Sequence, residues 1–98
     1  MSLPVAFLRR AREELDEAAT WYERQTPGLG QRFKDHVGEV LDRVRRTPEI
    51  HGRVYGDVRC AKVRRFPYAV YYRIEPDRVV VIAVFHGKRD PRVWQRRS

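Results

Sequence analysis

The sequence predicts an α+β fold in a single domain, residues 1–98. An N-terminal strand and an antiparallel two-helix hairpin should precede a three-stranded antiparallel meander, with the helices packed on one face of the sheet. Three observations predict this order. Two apolar stripes with helical spacing occupy the first half, a break containing glycine and proline separates them, and the second half is rich in β-branched and aromatic residues.

The first half begins with a short strand and an amphipathic helix. Val5 and Phe7 alternate with other residues in the segment 4–10, which suits a strand. From Arg10 onward the apolar side chains recur mainly at spacings of three and four, the stripe of a helix that covers a core on one side. The members of this stripe are Ala11, Leu15, Ala18, Ala19 and Tyr22.

A second helix is predicted after the sharp break TPGLG at 26–30. It ends near RTPE, where cations occupy the last turn and Pro48 follows. Two helices joined by so short a turn should form an antiparallel hairpin. We expect their inner face to meet Val70, Val80 and Ile82 of the sheet. The apolar stripe of the second helix is Phe33, Val37, Val40, Leu41 and Val44.

The second half of the chain predicts three strands, 58–66, 68–74 and 79–85. The middle segment is rich in aromatic and β-branched residues. The loop 75–78 places Pro76 at a favoured turn position, so the strands beside it should form a hairpin. The last segment, VVVIAVF, contains no polar residue, which is typical of a strand buried on both faces.

The net charge of +8 lies almost wholly in the second half of the chain. Residues 54–98 hold eleven Lys and Arg against four Asp and Glu, whereas residues 1–53 hold ten against nine. Such asymmetry favours an anionic partner, either nucleic acid or an acidic protein segment. A solvated, arginine-rich surface without a ligand is the alternative.

The remaining composition limits the possible functions. The one cysteine, Cys60, excludes an intrachain disulfide, and three scattered histidines do not predict a metal site. The sequence contains no phosphate-binding loop, dinucleotide fingerprint or common hydrolase motif, so no cofactor is expected. The N-terminus becomes charged after eight residues, which predicts neither a secretory signal nor a membrane span and favours a cytoplasmic protein.

The basic side chains of the strands form the first candidate site. Pairing of the first two predicted strands would bring several cations together, and Lys88 and Arg89 would emerge at the end of the third. Such a cluster could bind a carboxylate-rich peptide or stabilise a developing phosphate charge. The cations of the first two strands are Arg59, Lys62, either Arg64 or Arg65, and Arg73.

His86 ends the last predicted strand and has two interpretations. Imidazole can act as a general acid or base near neutral pH, whereas a histidine at a strand end can instead bond to the backbone. Trp21 and Trp94 are interpreted as packing residues, although Trp94 lies among cations, where base stacking is an alternative.

Two segments carry a family resemblance, WYERQTPGLGQRF and VRRFPYAVYYRIEPDRVVVIAVFHGKRDPRVW. Together with the order of the elements, they resemble the RelE/ParE superfamily of bacterial type II toxins, closer to the ParE-like, plasmid-stabilisation branch. The resemblance covers essentially the whole chain. It implies a toxin that is neutralised by a cognate antitoxin, whose acidic or amphipathic C-terminal segment wraps it, and it allows a toxin–antitoxin hetero-oligomer.

The superfamily divides into two mechanisms. RelE-like members are ribosome-dependent endoribonucleases that use Lys, Arg and Tyr to cut mRNA, whereas ParE-like members inhibit DNA gyrase by binding. Lys62 and Arg89 match the RelE-like pattern. However, Ala69 stands where an arginine should follow Tyr68, and Trp94 is nearest to the place of the C-terminal tyrosine. Because tryptophan cannot exchange a proton as a phenol can, two key groups of the ribonuclease pattern are missing.

We therefore favour a ParE-like gyrase inhibitor over an enzyme and assign no catalytic residue. Its target-binding residues are expected to be Arg59, Lys62, Arg73, Lys88, Arg89, Arg92 and Trp94. The alternative is a metal-independent, RelE-like ribonuclease that contacts the ribosome and mRNA. The residues that would form its active site are Lys62, Arg65, His86 and Arg89. A third hypothesis is a non-toxic relative that retains only antitoxin binding.

Overall fold

Five strands and three α-helices are described by a computed structural model that covers residues 2–98. The helices are α1 (Arg9–Gln25), α2 (Leu29–Arg46) and α3 (Arg92–Gln95), with a 3₁₀ helix at Pro48–Ile50. The strands are β1 (Val5–Phe7), β2 (Arg53–Tyr55), β3 (Val58–Lys62), β4 (Tyr68–Ile74) and β5 (Val79–His86). No helix in residues 2–98 combines the length and the apolar composition that a membrane crossing requires.

The strands form one mixed sheet with the order β1-β5-β4-β3-β2. The predicted α+β class, the helix hairpin and the antiparallel run β3-β4-β5 are confirmed. Two details were not predicted. A fourth antiparallel strand, β2, extends the meander at one edge, and β1 pairs in parallel with β5 at the other. The connection from β1 to this parallel neighbour runs through α1, α2 and the three strands β2, β3 and β4.

The two long helices pack closely because glycine stands at their junction. A Cβ at Gly30 would lie 2.4 Å from the carbonyl oxygen of Ala19, so no larger residue fits without separating the helices. The Glu23 carboxylate, near the end of α1, accepts hydrogen bonds from the N–H groups of Gly28 and Gly30 at 2.8 and 3.0 Å. It thereby satisfies donors at the start of α2 that have no partner within the helix.

The main core lies between the helix hairpin and one face of the sheet. Four rings form a continuous aromatic cluster at its end, with centroids 4.9–6.1 Å apart. Leu41 lies at the margin of the core and is only partly buried, whereas Val40 is fully buried. The four rings belong to Tyr22, Phe33, Phe66 and Tyr68.

The prediction that Val80 and Ile82 face the helices is wrong. Val79, Val81 and Val84 belong to the helix-facing core instead. Tyr71 pairs with Ala83 and Tyr72 with Val81, so Ile82 is an extra residue in β5 and shifts the alternation. Ile82 instead joins a second cluster, which contains Trp94. The members of this second cluster are Val58, Ile82, Ala83, Phe85 and Trp94.

The C-terminal segment covers this second cluster. The Trp94 ring stacks on Tyr71 with centroids 4.3 Å apart and an interplanar angle of 26°. Residues 79–85 are therefore buried on both faces, as the apolar sequence predicts. The arrangement leaves β5 between β1 and β4, in the interior of the sheet.

Candidate functional site

Lys62 and Lys88 face one groove at the end of the sheet, which we call the sheet groove and which also contains Cys60, Tyr71 and His86. Its volume is about 460 Å³. Cys60 lies opposite Tyr71 across the β3–β4 ladder, and Lys62 is two residues further along β3, so these side chains share a face. Lys88 arrives from the turn after β5, where the Arg89 N–H donates to the carbonyl of His86 at 3.1 Å.

The sheet groove combines positive charge with groups that hold their protons. Burial, together with the adjacent Cys60, raises the pKa of Tyr71 to about 12. Burial also raises the pKa of the Cys60 thiol and of the Tyr68 phenol, which borders the same groove. At neutral pH these groups can donate hydrogen bonds, but none of the three is a base.

His86 uses one ring nitrogen in the structure of its turn. The backbone N–H of Lys88 donates to His86 Nδ1 at 3.0 Å. While this bond is present, Nδ1 is occupied as an acceptor and the ring carries its proton at Nε2. The ring also packs edge-on against Tyr68, with centroids 5.3 Å apart. Of the two interpretations of His86 that the sequence allows, this hydrogen bond corresponds to the second, a histidine at a strand end that bonds to the backbone.

A second recess, the edge groove, runs between α1 and the free edge of β5. Strand β1 pairs only with Val79–Val81, so the rest of β5 has no neighbouring strand on that side. Trp21, which is 55% exposed, Tyr22 and Tyr68 contribute its aromatic surface. The Arg89 guanidinium borders it and lies 4.3 Å from the centre of the Phe85 ring. The groove has a volume of about 490 Å³.

Three predicted target-binding cations are held by other groups. The Arg59 guanidinium donates to the carbonyl oxygens of Glu49 and His51 at 3.3 and 2.7 Å. Arg73 pairs with Glu75 at 3.1 Å, and that carboxylate also binds a second arginine. Arg92 pairs with Asp90 at 2.8 Å, and hydrogen bonds from its side chain and backbone keep the pKa of this carboxyl below its usual value. Each of these guanidiniums therefore already uses part of its set of five N–H donors within the protein.

The two tryptophans have opposite environments. Trp94 is 2% exposed and packs against Tyr71, so it supports the tail and does not offer its ring to a partner. Trp21 was interpreted as a packing residue, and that interpretation is wrong because more than half of its surface is exposed. The helical spacing places Tyr22 in the apolar stripe that faces the core, so the side chain of the preceding residue, Trp21, points away from that stripe.

The four residues of the ribonuclease alternative do not meet in one recess. Lys62 lies in the sheet groove, Arg89 in the edge groove and Arg65 in the turn between β3 and β4. His86 borders the first two. Tyr71 was not predicted as a groove residue, although its position in the aromatic strand opposite the cationic strand indicates that it lies beside these cations.

No cluster of three or more His, Cys, Asp or Glu side chains suited to a metal ion occurs within residues 2–98. The sequence predicted no metal-binding residue and no cofactor-binding residue for either mechanism.

Comparisons with known proteins are consistent with the resemblance. A family model described as "ParE toxin of type II toxin-antitoxin system, parDE" matches residues 5–91. A solved chain of the "chromosomal ParDE TA system from P. aeruginosa" has a TM-score of 0.76 at 16% identity, covering 87% of this chain and 96% of that chain. A free-state E. coli toxin RelE carrying two arginine-to-alanine changes has a TM-score of 0.66 at 22% identity, covering 90% and 86%. No curated protein matches the chain.

Proposed function

Because the chain belongs to the ParE toxin family of type II toxin–antitoxin systems, we propose that it inhibits DNA gyrase and that a cognate antitoxin neutralises it. The observation that carries the proposal is the sheet groove, where Lys62 and Lys88 are not accompanied by a free base. Such a groove suits binding of an anionic surface rather than proton transfer.

The proton inventory of the groove supports binding over cleavage. Cutting RNA at a phosphodiester requires one group to take a proton and another to supply one. The phenols of Tyr68 and Tyr71 keep their protons at neutral pH, and Nδ1 of His86 is occupied by a backbone N–H. The two lysines can still form charge-assisted hydrogen bonds with carboxylates of a target protein.

We expect the double change Lys62→Gln and Lys88→Gln to weaken inhibition of gyrase by about tenfold to a hundredfold. Each lost charge-assisted contact is typically worth about 1.5–3 kcal/mol, less where solvent screens it. The measurement is the toxin concentration that halves supercoiling of relaxed plasmid. The matched control is Arg9→Gln with Arg24→Gln, which removes the same charge from two exposed positions on α1.

The control pair should inhibit gyrase like the unmodified toxin. Equal inhibition by the lysine variant and the control would contradict a role for the sheet groove. Both lysines are exposed and neither is in the core, so folding should be preserved in each variant.

A RelE-like ribonuclease remains the second candidate function, and one observation favours it. Lys62, Lys88 and His86 share the sheet groove, and the Nε2–H of His86 could donate a hydrogen bond to a leaving oxygen. In that case the same lysine variant would lose ribosome-dependent mRNA cleavage, because the lysines would stabilise charge that forms in the transition state.

We further propose that the antitoxin covers the edge groove. The groove offers exposed aromatic surface, the guanidinium of Arg89 and the end of β5 beyond Val84, where no strand pairs on the β1 side. The Ile82 carbonyl and the Val84 N–H before it are already bonded to Arg97 and Glu14. An antitoxin segment with apolar side chains and carboxylates complements all three, since it could bury Trp21 and pair with the cationic half of the toxin. The resulting complex would be a toxin–antitoxin hetero-oligomer.

A further inference from the structure

The turn between β3 and β4 presents two arginines in a conformation that favours glycine. The Phe66 N–H donates to the carbonyl of Val63 at 3.4 Å, which makes Arg64 and Arg65 the central residues of the turn. Arg65 has φ of 68°, the one positive value among non-glycine residues in the described part of the chain. A positive φ at the second central position is typical of a type II turn, where glycine or asparagine is preferred.

The unfavourable backbone conformation of Arg65 requires a reason. A side chain other than glycine is disfavoured in this region, and such outliers are concentrated at sites where the strained residue has a function. Glycine would form the same turn at lower cost. The sequence nevertheless has an arginine there, beside a second arginine.

Both arginines line a third recess, which we call the turn cleft. It has a volume of about 590 Å³, and Arg32 of α2 contributes a third guanidinium to its wall. Tyr22 and Phe66 give it an aromatic surface. The turn cleft has its own set of cations, because none of these three arginines lines the sheet groove or the edge groove.

The charges around the turn cleft are only partly neutralised. The Glu39 carboxylate lies 3.6 Å from Arg64, and both side chains are exposed, so this ion pair contributes little stability and can be exchanged for another anion. His36 also lines the cleft, and its Nδ1 is buried without a hydrogen-bond partner, 3.7 Å from the same carboxylate. Three arginines therefore line the cleft, and the exposed ion pair with Glu39 neutralises one of them.

We propose that the turn cleft binds the phosphates of a nucleic-acid strand. A guanidinium presents parallel N–H donors that match the oxygens of a phosphate, and three arginines line this cleft. The rings of Tyr22 and Phe66 border the cations, as in grooves that follow a nucleic-acid backbone while bases contact aromatic side chains. This binding is a property of the toxin alone and goes beyond gyrase inhibition.

The test is fluorescence anisotropy of the protein with two labelled single-stranded probes, a twelve-nucleotide DNA and a twelve-nucleotide RNA. We expect Arg64→Gln with Arg65→Gln to weaken binding of at least one probe by about tenfold. We also expect the slope of log affinity against log salt to fall by about two, since two phosphate contacts are lost. The control is again Arg9→Gln with Arg24→Gln, which should leave the slope unchanged.

The single change Arg65→Gly separates a binding role from a folding role. It keeps the turn conformation and removes one guanidinium, so the melting temperature should stay the same or rise while affinity for the preferred probe falls. The relative loss for DNA and RNA identifies the type of strand.

Equal losses in the turn and control variants would overturn the proposal, because they would show general charge attraction. A normal affinity for both probes with weakened antitoxin binding would also overturn it, since the cleft would then recognise an acidic protein. Because gyrase is absent from the assay, neither result depends on whether gyrase is the target.

Discussion

Replacing Arg97 with alanine is expected to lower the free energy of unfolding by about 3 kcal/mol. Arg97 donates to both carboxylate oxygens of Glu14 at 2.9 Å, and the Glu14 side chain is 4% exposed. The same carboxylate accepts the Val84 N–H at 3.2 Å, and Arg97 donates to the carbonyl of Ile82 at 3.2 Å. These contacts satisfy the backbone where β5 has an extra residue and no strand beside it.

The cost arises because one buried charge would lose its partner. In the Arg97→Ala variant the Glu14 carboxylate keeps only the hydrogen bond from the Val84 N–H. The Ile82 carbonyl loses the hydrogen bond that Arg97 donates to it. Chemical denaturation measures the loss, and Arg96→Ala is the control at an exposed neighbour. A double Glu14→Met and Arg97→Met variant should regain much of the stability, since apolar replacement removes both charges. A loss below about 1 kcal/mol for Arg97→Ala would contradict this account.

Replacing Trp21 with alanine is expected to weaken antitoxin binding by at least about thirtyfold, or about 2 kcal/mol. Trp21 is the most exposed aromatic side chain of the edge groove, and its neighbours there include Tyr68 and Arg89. A tryptophan that becomes buried at the centre of an interface often dominates the binding free energy. Because Trp21 is outside the core, the variant should fold normally.

The measurement is the affinity of the purified variant for its cognate antitoxin, by calorimetry or by displacement. Ile50→Ala is the matched control, because Ile50 is an apolar residue in the 3₁₀ helix that is somewhat more exposed than Trp21 and lies outside the edge groove. Gyrase inhibition by Trp21→Ala should remain near that of the unmodified toxin. Equal antitoxin affinity for Trp21→Ala and the unmodified toxin would place the antitoxin elsewhere.

The elements that sequence analysis identified correctly have strong local signals. The apolar stripes of α1 and α2 and the apolar run of β5 predict, from neighbouring residues alone, which segments are buried. The phase of β5 was wrong because a run with no polar residue does not indicate which side chains face the helices. The extra residue Ile82 then changes the phase again within the strand.

The missed features depend on contacts that are distant in the chain or lack an apolar pattern. Strand β2 is exposed at every residue and has only three of them, so no burial pattern marks it. The pair formed by Glu14 and Arg97 joins residues 83 positions apart, which no spacing rule detects. In contrast, Arg73 and Glu75 are only two positions apart in the chain. That spacing could have indicated from the sequence that Arg73 is paired and is not a free cation.

The most direct test of the central claim compares two activities of the purified toxin. Gyrase, relaxed plasmid and ATP are incubated with increasing toxin, and translating ribosomes with a defined mRNA receive the same concentrations. We predict that supercoiling falls while the mRNA stays intact, and that added antitoxin restores supercoiling. Ribosome-dependent cleavage of the mRNA with unchanged supercoiling would contradict the proposal and identify the toxin as a ribonuclease.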